Sequence, residues 1–499
     1  MNISLGIDLG TSATKVLALG ETGEVIAKSS APYPLLQPAV GWSEQRPSDW
    51  WRAVCGAVGN VLKKVEIDRV TGVALSGQLN GVVLLDAHKE PLGNAIIWLD
   101  QRATAEAAWL NEHYAPKLRQ AVFNPANPIY VASKLLWLKN ERPELLTAAH
   151  HIVFAKDYLN FLLSGQLATD YSDASCTLLF DLTRGGWIPE LLELLGLEPQ
   201  QLPRLHSSLD IIGHITPGAA AATGLPQGIP VMAGAGDVAA LAVGSGAIEP
   251  GLCSVTLGTA GHVATATQAL SEVGFNQTWQ MFHAAPGRYI NLGLVMSGGL
   301  SLSWFRRELG ELETERAKQT SQDPFEQLVA RAEASEPGAR GITFLPFLEG
   351  AATPFQNPNL RASFVNLSSS HHKGDLVQAV LEGVAYNIRD CIEIFEASGA
   401  KIDEIRLSEG GSRSARWCQI IADVLSRPLY TLTEIDTSAL GAAIIALATT
   451  SQLPLSEAVT RVVRVKPTEV IRPNLDLLDL YDRGYARYRK LAKLLESAF

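Results

Sequence analysis

The chain has little cysteine and no cluster of basic residues, and each shortage removes a class of function. Its five cysteines, Cys55, Cys176, Cys253, Cys391 and Cys418, are odd in number, scattered and without a Cys-x-x-Cys pair. A disulfide framework is therefore excluded, and reduced, buried thiols are expected. No run of Lys or Arg occurs, and 51 acidic against 41 basic residues leave a net charge of −10, which excludes a broad surface for the phosphate backbone of DNA or RNA. No uninterrupted apolar stretch reaches the roughly 18 residues of a membrane span. The start, MNISLGIDLG, lacks the basic and apolar regions of a leader, so a cytoplasmic protein with no membrane partner is expected. The P-loop pattern G-x-x-x-x-G-K-[ST] is also missing, which excludes that class of nucleotide site.

What is present suits a globular α/β protein. The 499 residues, 47% hydrophobic and 18% charged, predict two or three domains with large cores. ISLGIDLG, TKVLALG, TGVALSG, GVVLLDA and IPVMAGAG read as strands, while SDWWRAVCGAVGNVLKKV and ASKLLWLKNERPELL carry helical periodicity. In GDLVQAVLEGVAYNIRDCIEIFEASG, Leu376, Val380, Val384, Ile388, Cys391 and Phe395 recur at steps of three or four, predicting a long helix that stops near Gly399.

Five polar constellations interrupt these elements. The first, GIDLGTSATK, places Asp8, Gly10, Thr11, Ser12 and Lys15 in one turn, and a second strand–Leu-Gly-Thr–strand unit, with Gly258 and Thr259, comes half a chain later. Glycines let a backbone approach a ligand, and amides with a Thr hydroxyl suit phosphate oxygens. A carboxylate such as Asp8 can hold Mg²⁺ through water. A plain β-hairpin accounts equally for either turn alone. Third, GAGDVAA combines Gly234, Gly236 and Ala239 in a G-x-G-x-x-A that a dinucleotide site would use, yet Asp237 would then face a pyrophosphate. Fourth, Gln78, Asn80, Trp98, Asp100 and Arg102 in SGQLNG and IWLDQR mix amides, charges and one aromatic as a sugar site does. Gly410 and Gly411, before an amphipathic helix, can pass close to a base or a phosphate. His262 reads as a structural histidine, and His371-His372 lack the spacing of a zinc site.

Taken in order, GIDLGTSATK, GWSEQRPSDWW, SGQLNG, IWLDQR, KDYLNFLLSGQLATDYSDAS, GAGDVAA, TLGTAG, FLPFLEGAATP, VLEGVAY, EGGSRSARWCQIIAD and ALGAA resemble the FGGY carbohydrate kinases, and within them the xylulokinases, from residue 6 to about 443. The resemblance implies a two-lobed actin/hexokinase/Hsp70-like fold, with duplicated ribonuclease-H-like domains around a central cleft. Residues 1–246 would form the N-terminal lobe, 247–450 the C-terminal lobe, and 451–499 a helical segment packed on both. It implies ATP and Mg²⁺ as cofactors, a small sugar as the other partner, and leaves a homodimer open. Asp237 would be the catalytic base and Asp8 the carboxylate near Mg²⁺. Gly10, Thr11, Ser12, Lys15, Gly258 and Thr259 would face phosphate, and Gly410, Gly411 and Ser412 the adenosine. Gln78, Leu79, Asn80, Trp98, Asp100 and Arg102 would lie with Asp237 at the sugar. The implied reaction is D-xylulose to D-xylulose 5-phosphate.

Departures from the family pattern fall on the sugar side. Xylulokinases read Gln-Met-His-Gly where this chain has Gln78-Leu79-Asn80-Gly81, and Asp-Asn where it has Asp237-Val238. Swaps of hydrogen-bonding groups can redirect specificity, so D-ribulose, L-ribulose or another polyol stays open as substrate. A non-catalytic sugar sensor and a nucleotide-linked oxidoreductase are the rival classes.

Overall fold

The computed structural model describes residues 2–498. Its first sheet contains β1 (Ile3–Leu9), β2 (Ala13–Gly20), β3 (Val25–Pro32), β4 (Val70–Gly77), β5 (Ile211–His214) and β6 (Pro230–Gly236), ordered β5-β6-β4-β1-β2-β3. Every residue of β1 is buried, because helices cover both faces of this sheet. One cover is α1 (Pro47–Leu62), whose Trp50, Ala53, Val54, Ala57, Val58 and Val61 repeat at three and one. Two further helices set the site: α2 (Ala155–Ser164) and α3 (Asp237–Ser245), the latter leaving directly from the end of β6.

The second sheet holds β7 (Gly251–Thr256), β8 (Gly261–Thr267), β9 (Trp279–Phe282), β10 (Tyr289–Val295), β11 (Ile402–Ser408), β12 (Leu429–Leu432) and β13 (Val465–Ile471), ordered β9-β10-β8-β7-β11-β12-β13. The same half of the chain carries α4 (Gly298–Leu309), α5 (Lys373–Ala397), α6 (Thr437–Thr450), which follows β12 but packs on the first sheet, and α7 (Leu478–Glu496).

The two sheets repeat one plan. In the first, β1 pairs antiparallel with β2 and β2 with β3, then β1 runs parallel to β4, β4 to β6, and β5 closes antiparallel on β6. The second repeats it through β7-β8, β8-β10, β7-β11, β11-β12 and β12-β13. The two Leu-Gly-Thr turns thus occupy equivalent hairpins, β1–β2 and β7–β8. The helices that leave the corresponding strands, α3 and α6, cross each other between the lobes. They touch backbone to backbone: a Cβ on Gly244 would lie 1.9 Å from the Thr437 carbonyl, and one on Gly441 1.8 Å from that of Ala240. The helix α6 also lies on β1, where a Cβ at Gly6 would meet the Ala439 carbonyl at 2.1 Å.

Two local expectations change. ASKLLWLKNERPELL is two helices, Val131–Glu141 and Pro143–Ala148, because Pro143 cannot continue the first and opens the second. The segment 451–499 is not wholly helical: VKPTEVI, rich in β-branched residues, forms the edge strand β13. No helix among the described residues is long and apolar enough to cross a membrane.

Candidate active site

The turns of the two halves come close together: Glu409, beside Gly258, lies within the electrostatic reach of Lys15, Asp436 and Asp8. On the N-terminal side, Gly10 N–H donates to the Ala13 carbonyl at 3.1 Å, closing the β1–β2 turn. Trp98 Nε1 donates to Thr11 Oγ1 at 2.9 Å, and Gln45 Nε2 to the Thr11 carbonyl at 2.6 Å. Ser12 is exposed at the tip. Asp8 is buried at the end of β1, its Oδ1 accepting from Ser76 Oγ at 2.8 Å, and burial raises its carboxyl above the ordinary range.

Asp237 opens α3 and is half-buried, with Oδ1 accepting from the Val238 N–H at 2.8 Å. Burial first, and the charge of Asp8 second, push its carboxyl up to about 7. A carboxylate raised by burial beside a second carboxylate is a usual arrangement for base chemistry. The glycines before Asp237 serve packing: a Cβ on Gly234 would sit 2.0 Å from the Leu75 carbonyl, and one on Gly236 2.3 Å from Leu79 Cδ2. At both glycines the space is filled by protein, so they do not provide the close backbone approach to a pyrophosphate that the dinucleotide reading of G-x-G-x-x-A requires.

The sugar-side residues form a chain of fixed amides. Trp50 Nε1, a donor only, gives its proton to Gln45 Oε1 at 2.9 Å, and that oxygen also accepts from Gln78 Nε2 at 2.8 Å. This fixes the orientation of Gln78 and leaves its buried Oε1 without a partner. Asn80, buried at φ 64°, likewise leaves Oδ1 unpartnered, while its carbonyl accepts from Lys134 Nζ at 2.6 Å. Two orphan acceptors two residues apart call for donors such as hydroxyls. Asp100 and Arg102, in contrast, are engaged with protein. Asp100 takes the Ser43 N–H at 2.6 Å and Arg102 Nε at 2.8 Å, and Arg102 Nη2 reaches Glu44 at 2.7 Å while stacking 3.7 Å over Trp42.

On the C-terminal side, the Gly258 and Thr259 carbonyls accept from Gly299 at 2.7 Å and Leu300 at 3.0 Å, the start of α4. Gly411 N–H donates to the Leu257 carbonyl at 3.0 Å, and Ser412 Oγ to that of Glu409 at 2.7 Å, so the two Gly turns touch. Lys15 pairs with Asp436, at the entry to α6, at 2.8 Å, and Lys28 reaches the same carboxylate at 3.0 Å, tying the lobes across the cleft. Burial pushes His262 down to about 4, a neutral ring whose backbone N–H donates to Thr256. His371 and His372 stay in an outer loop and α5 cap.

Sequence reasoning overlooked Glu409, Asp436 and Gly298-Gly299. Glu409 has φ 68° and ψ −173°, backbone space that is nearly reserved for glycine, and its carboxylate lies beside Gly258. Nothing in the residue type announces that conformation. The Gly-Gly opening α4 was the one readable signal, a strand–Gly-Gly–helix junction.

The family model for the N-terminal domain of the FGGY carbohydrate kinases matches residues 3–244, and that for the C-terminal domain residues 253–450. The chain belongs to the FGGY family of carbohydrate kinases. It is 34% identical over 440 residues to a xylulose kinase of Escherichia coli, covering 88% of each chain, and 30% identical to one of Bacillus subtilis, covering 100% of this chain and 99% of that one. A Bacillus subtilis gluconokinase is 30% identical over 463 residues, 92% of this chain and 90% of the relative. Among solved structures, a Rhodospirillum rubrum xylulose kinase superposes with a TM-score of 0.90 at 30% identity, covering 99% of both chains. This FGGY kinase therefore has the two-lobed actin/hexokinase-like fold, and its enzymatic class is phosphoryl transfer to a carbohydrate. FGGY kinases use ATP, generally with Mg²⁺.

Proposed function

We propose that this kinase transfers the γ-phosphoryl group of ATP to a ketopentose hydroxyl, converting D-xylulose to D-xylulose 5-phosphate. The observation that carries the chemistry is Asp237, half-buried beside Asp8 and titrating at about 7. A base poised there accepts the proton of the attacking hydroxyl near neutrality. Support for the substrate comes from relatives named xylulose kinase at 30–34% identity over nearly the whole chain.

In this reading residues 1–246 present the sugar and the first phosphate turn, and 247–450 the nucleotide. Gln78 and Asn80 offer their orphan oxygens to sugar hydroxyls, and Leu79 forms an apolar wall against Gly236. Trp98, Asp100 and Arg102 act on the sugar through the loop they brace. Gly10, Thr11, Ser12, Gly258 and Thr259 line the phosphates, Lys15 neutralises them once it leaves Asp436, and Gly410, Gly411 and Ser412 border the adenosine. Asp8 would hold Mg²⁺ through water: one oxygen is fixed by Ser76, and the other borders the Gly10 turn, the single-carboxylate setting that Mg²⁺ accepts with phosphate oxygens. Bound there, the ion offsets charge on the transferring group. Among the described residues no group of three His, Cys, Asp or Glu is placed to hold a metal ion.

A second reading, D-gluconate as acceptor, draws on the gluconokinase relatives and on Asn80 and Val238, which place an amide and an apolar group where xylulokinases read His and Asn. The deciding test is a coupled ADP-release assay with Mg·ATP over D-xylulose, D-ribulose, L-ribulose, L-xylulose, glycerol and D-gluconate. The highest kcat/KM is expected for D-xylulose, and a higher value for any other acceptor overturns the substrate. Asp237→Asn is expected to fold, bind sugar and lose at least about a thousandfold in kcat; near-normal turnover removes Asp237 as base.

A further inference from the structure

The strand that delivers Asp237 does not keep its ladder to the end. Between Met232 and Ala235, β6 slips against β4: Met232 faces Ala74, but Ala235 faces Ser76, so the β6 side of the ladder carries one extra residue. Such a bulge re-aims the residues beyond it. Gly234, at φ 72°, makes the bend.

The backbone groups around the bulge are taken over by side chains from elsewhere. The Ala233 carbonyl accepts from Lys156 Nζ at 3.2 Å and from Asn160 Nδ2 at 3.0 Å, both on α2. The Gly236 N–H, immediately before Asp237, donates to Ser172 Oγ at 2.9 Å. Ser172 in turn gives its hydroxyl proton to Asp170 Oδ2, which also accepts from the Ser172 N–H at 2.9 Å and from Ser208 Oγ at 2.9 Å. The other oxygen of Asp170 lies 3.3 Å from Lys156 Nζ. Lys156, Asn160, Asp170 and Ser172 are all wholly buried. A buried lysine–carboxylate cluster gives little net stability compared with apolar packing, but it fixes geometry closely. Here its two hydrogen-bonding ends fall on either side of the turn that aims the base.

We propose that Ser172, backed by Asp170 and Lys156, is a positioning residue that holds the Gly236 amide and thereby sets where the Asp237 carboxylate meets the sugar hydroxyl. The inference rests on Asp237 being the base. The Ser172 hydroxyl donates its proton to Asp170 and turns a lone pair to the Gly236 N–H, so the carboxylate fixes the orientation of the hydroxyl. Misplacing a catalytic group by a fraction of an ångström lowers the chemical step without removing ligand contacts.

The test compares three variants in the full-length enzyme. Ser172→Ala is expected to lower kcat about 10- to 100-fold, with sugar and ATP KM changed less than about threefold, and to shift the acidic limb of the kcat–pH profile. Ser208→Ala removes a hydroxyl hydrogen bond from the same Asp170 oxygen but leaves Gly236 held, and is expected to keep kcat within about twofold. Equal kcat losses in both, or an unchanged kcat and pH limb in Ser172→Ala, overturn the proposal. Should Ser172→Ala fail to fold, Ser172→Cys fills the same space with a poorer acceptor and carries the same comparison. Asp237→Asn separates the two readings: if it retains turnover the base assignment falls, whereas an inactive Asp237→Asn beside a normal Ser172→Ala overturns only the positioning role.

Discussion

Asp237 shows how one side chain links activity to stability. Its carboxyl titrates at about 7 against an ordinary 3.8, so ionising it costs the folded state more than the unfolded one. That cost is absent near pH 4 and grows as pH rises through about 7. With Asp237 as the proposed base, activity has the opposite dependence, because only the ionised carboxylate accepts a proton, and kcat is expected to rise from about pH 6 to 8 and then level. Asp237→Asn should therefore melt above the wild type at pH 8 and level with it at pH 4, by calorimetry at both values; a wild type that melts higher at pH 8 contradicts the burial argument. The residues readable from sequence, Asp8, Thr11, Thr259 and Asp237, lie in turns whose glycines announce a close approach. Those not readable depend on long-range partners. Ser172 meets Gly236 across 64 positions, and Asp436 meets Lys15 across 421, contacts that no local pattern encodes.

Elements were legible where a period or a stop residue governs them. The helix α5 runs Lys373–Ala397, and Gly399, at φ 92°, stands just past its end as its sequence indicates. The strand β13 and the partner of α7 were hidden, because an edge strand needs a neighbour to exist and α7 carries tyrosines whose hydroxyls must find acceptors. Two of them find acceptors on α5: Tyr485 donates to Asp390 at 2.8 Å and Tyr481 to Glu382 at 3.3 Å, with burial pushing both carboxyls up to about 7. The helices touch at Gly484, where a Cβ would lie 2.2 Å from the Tyr386 hydroxyl. Gly484→Ala displaces the buried Tyr386 ring and with it the packing of α7 on α5. A loss of about 2–4 kcal/mol in urea unfolding, with faster proteolytic removal of the C-terminal helix, is expected. Unchanged stability would mean that α7 is not held by this contact.

At the scale of the molecule, the duplicated sheet order was foreshadowed only by two Leu-Gly-Thr turns, while the crossing of α3 and α6 had no visible sign beyond small residues at Gly244, Gly441 and Ala240. That crossing brings the two lobes into backbone contact and has no room for one added carbon. Gly441→Ala is expected to cost about 3 kcal/mol or more and to raise KM for ATP and sugar together, since lobes held apart cannot bring both turns to one phosphate. A drop in stability with both KM values unchanged would show that the crossing is structural only.

The same helix α6 also sets an order of events during synthesis. Its Ala443, Ile444 and Ile445 share a core with Leu17, Leu19, Ala74 and Met232 of the first sheet. The lobe translated first is thus completed by a helix made about two hundred residues later. At roughly 5–20 residues per second, the ribosome leaves one face of that sheet uncovered for about 10–40 s. The nascent chain has to be shielded from its neighbours over that interval, and the enzyme is finished as one unit rather than lobe by lobe.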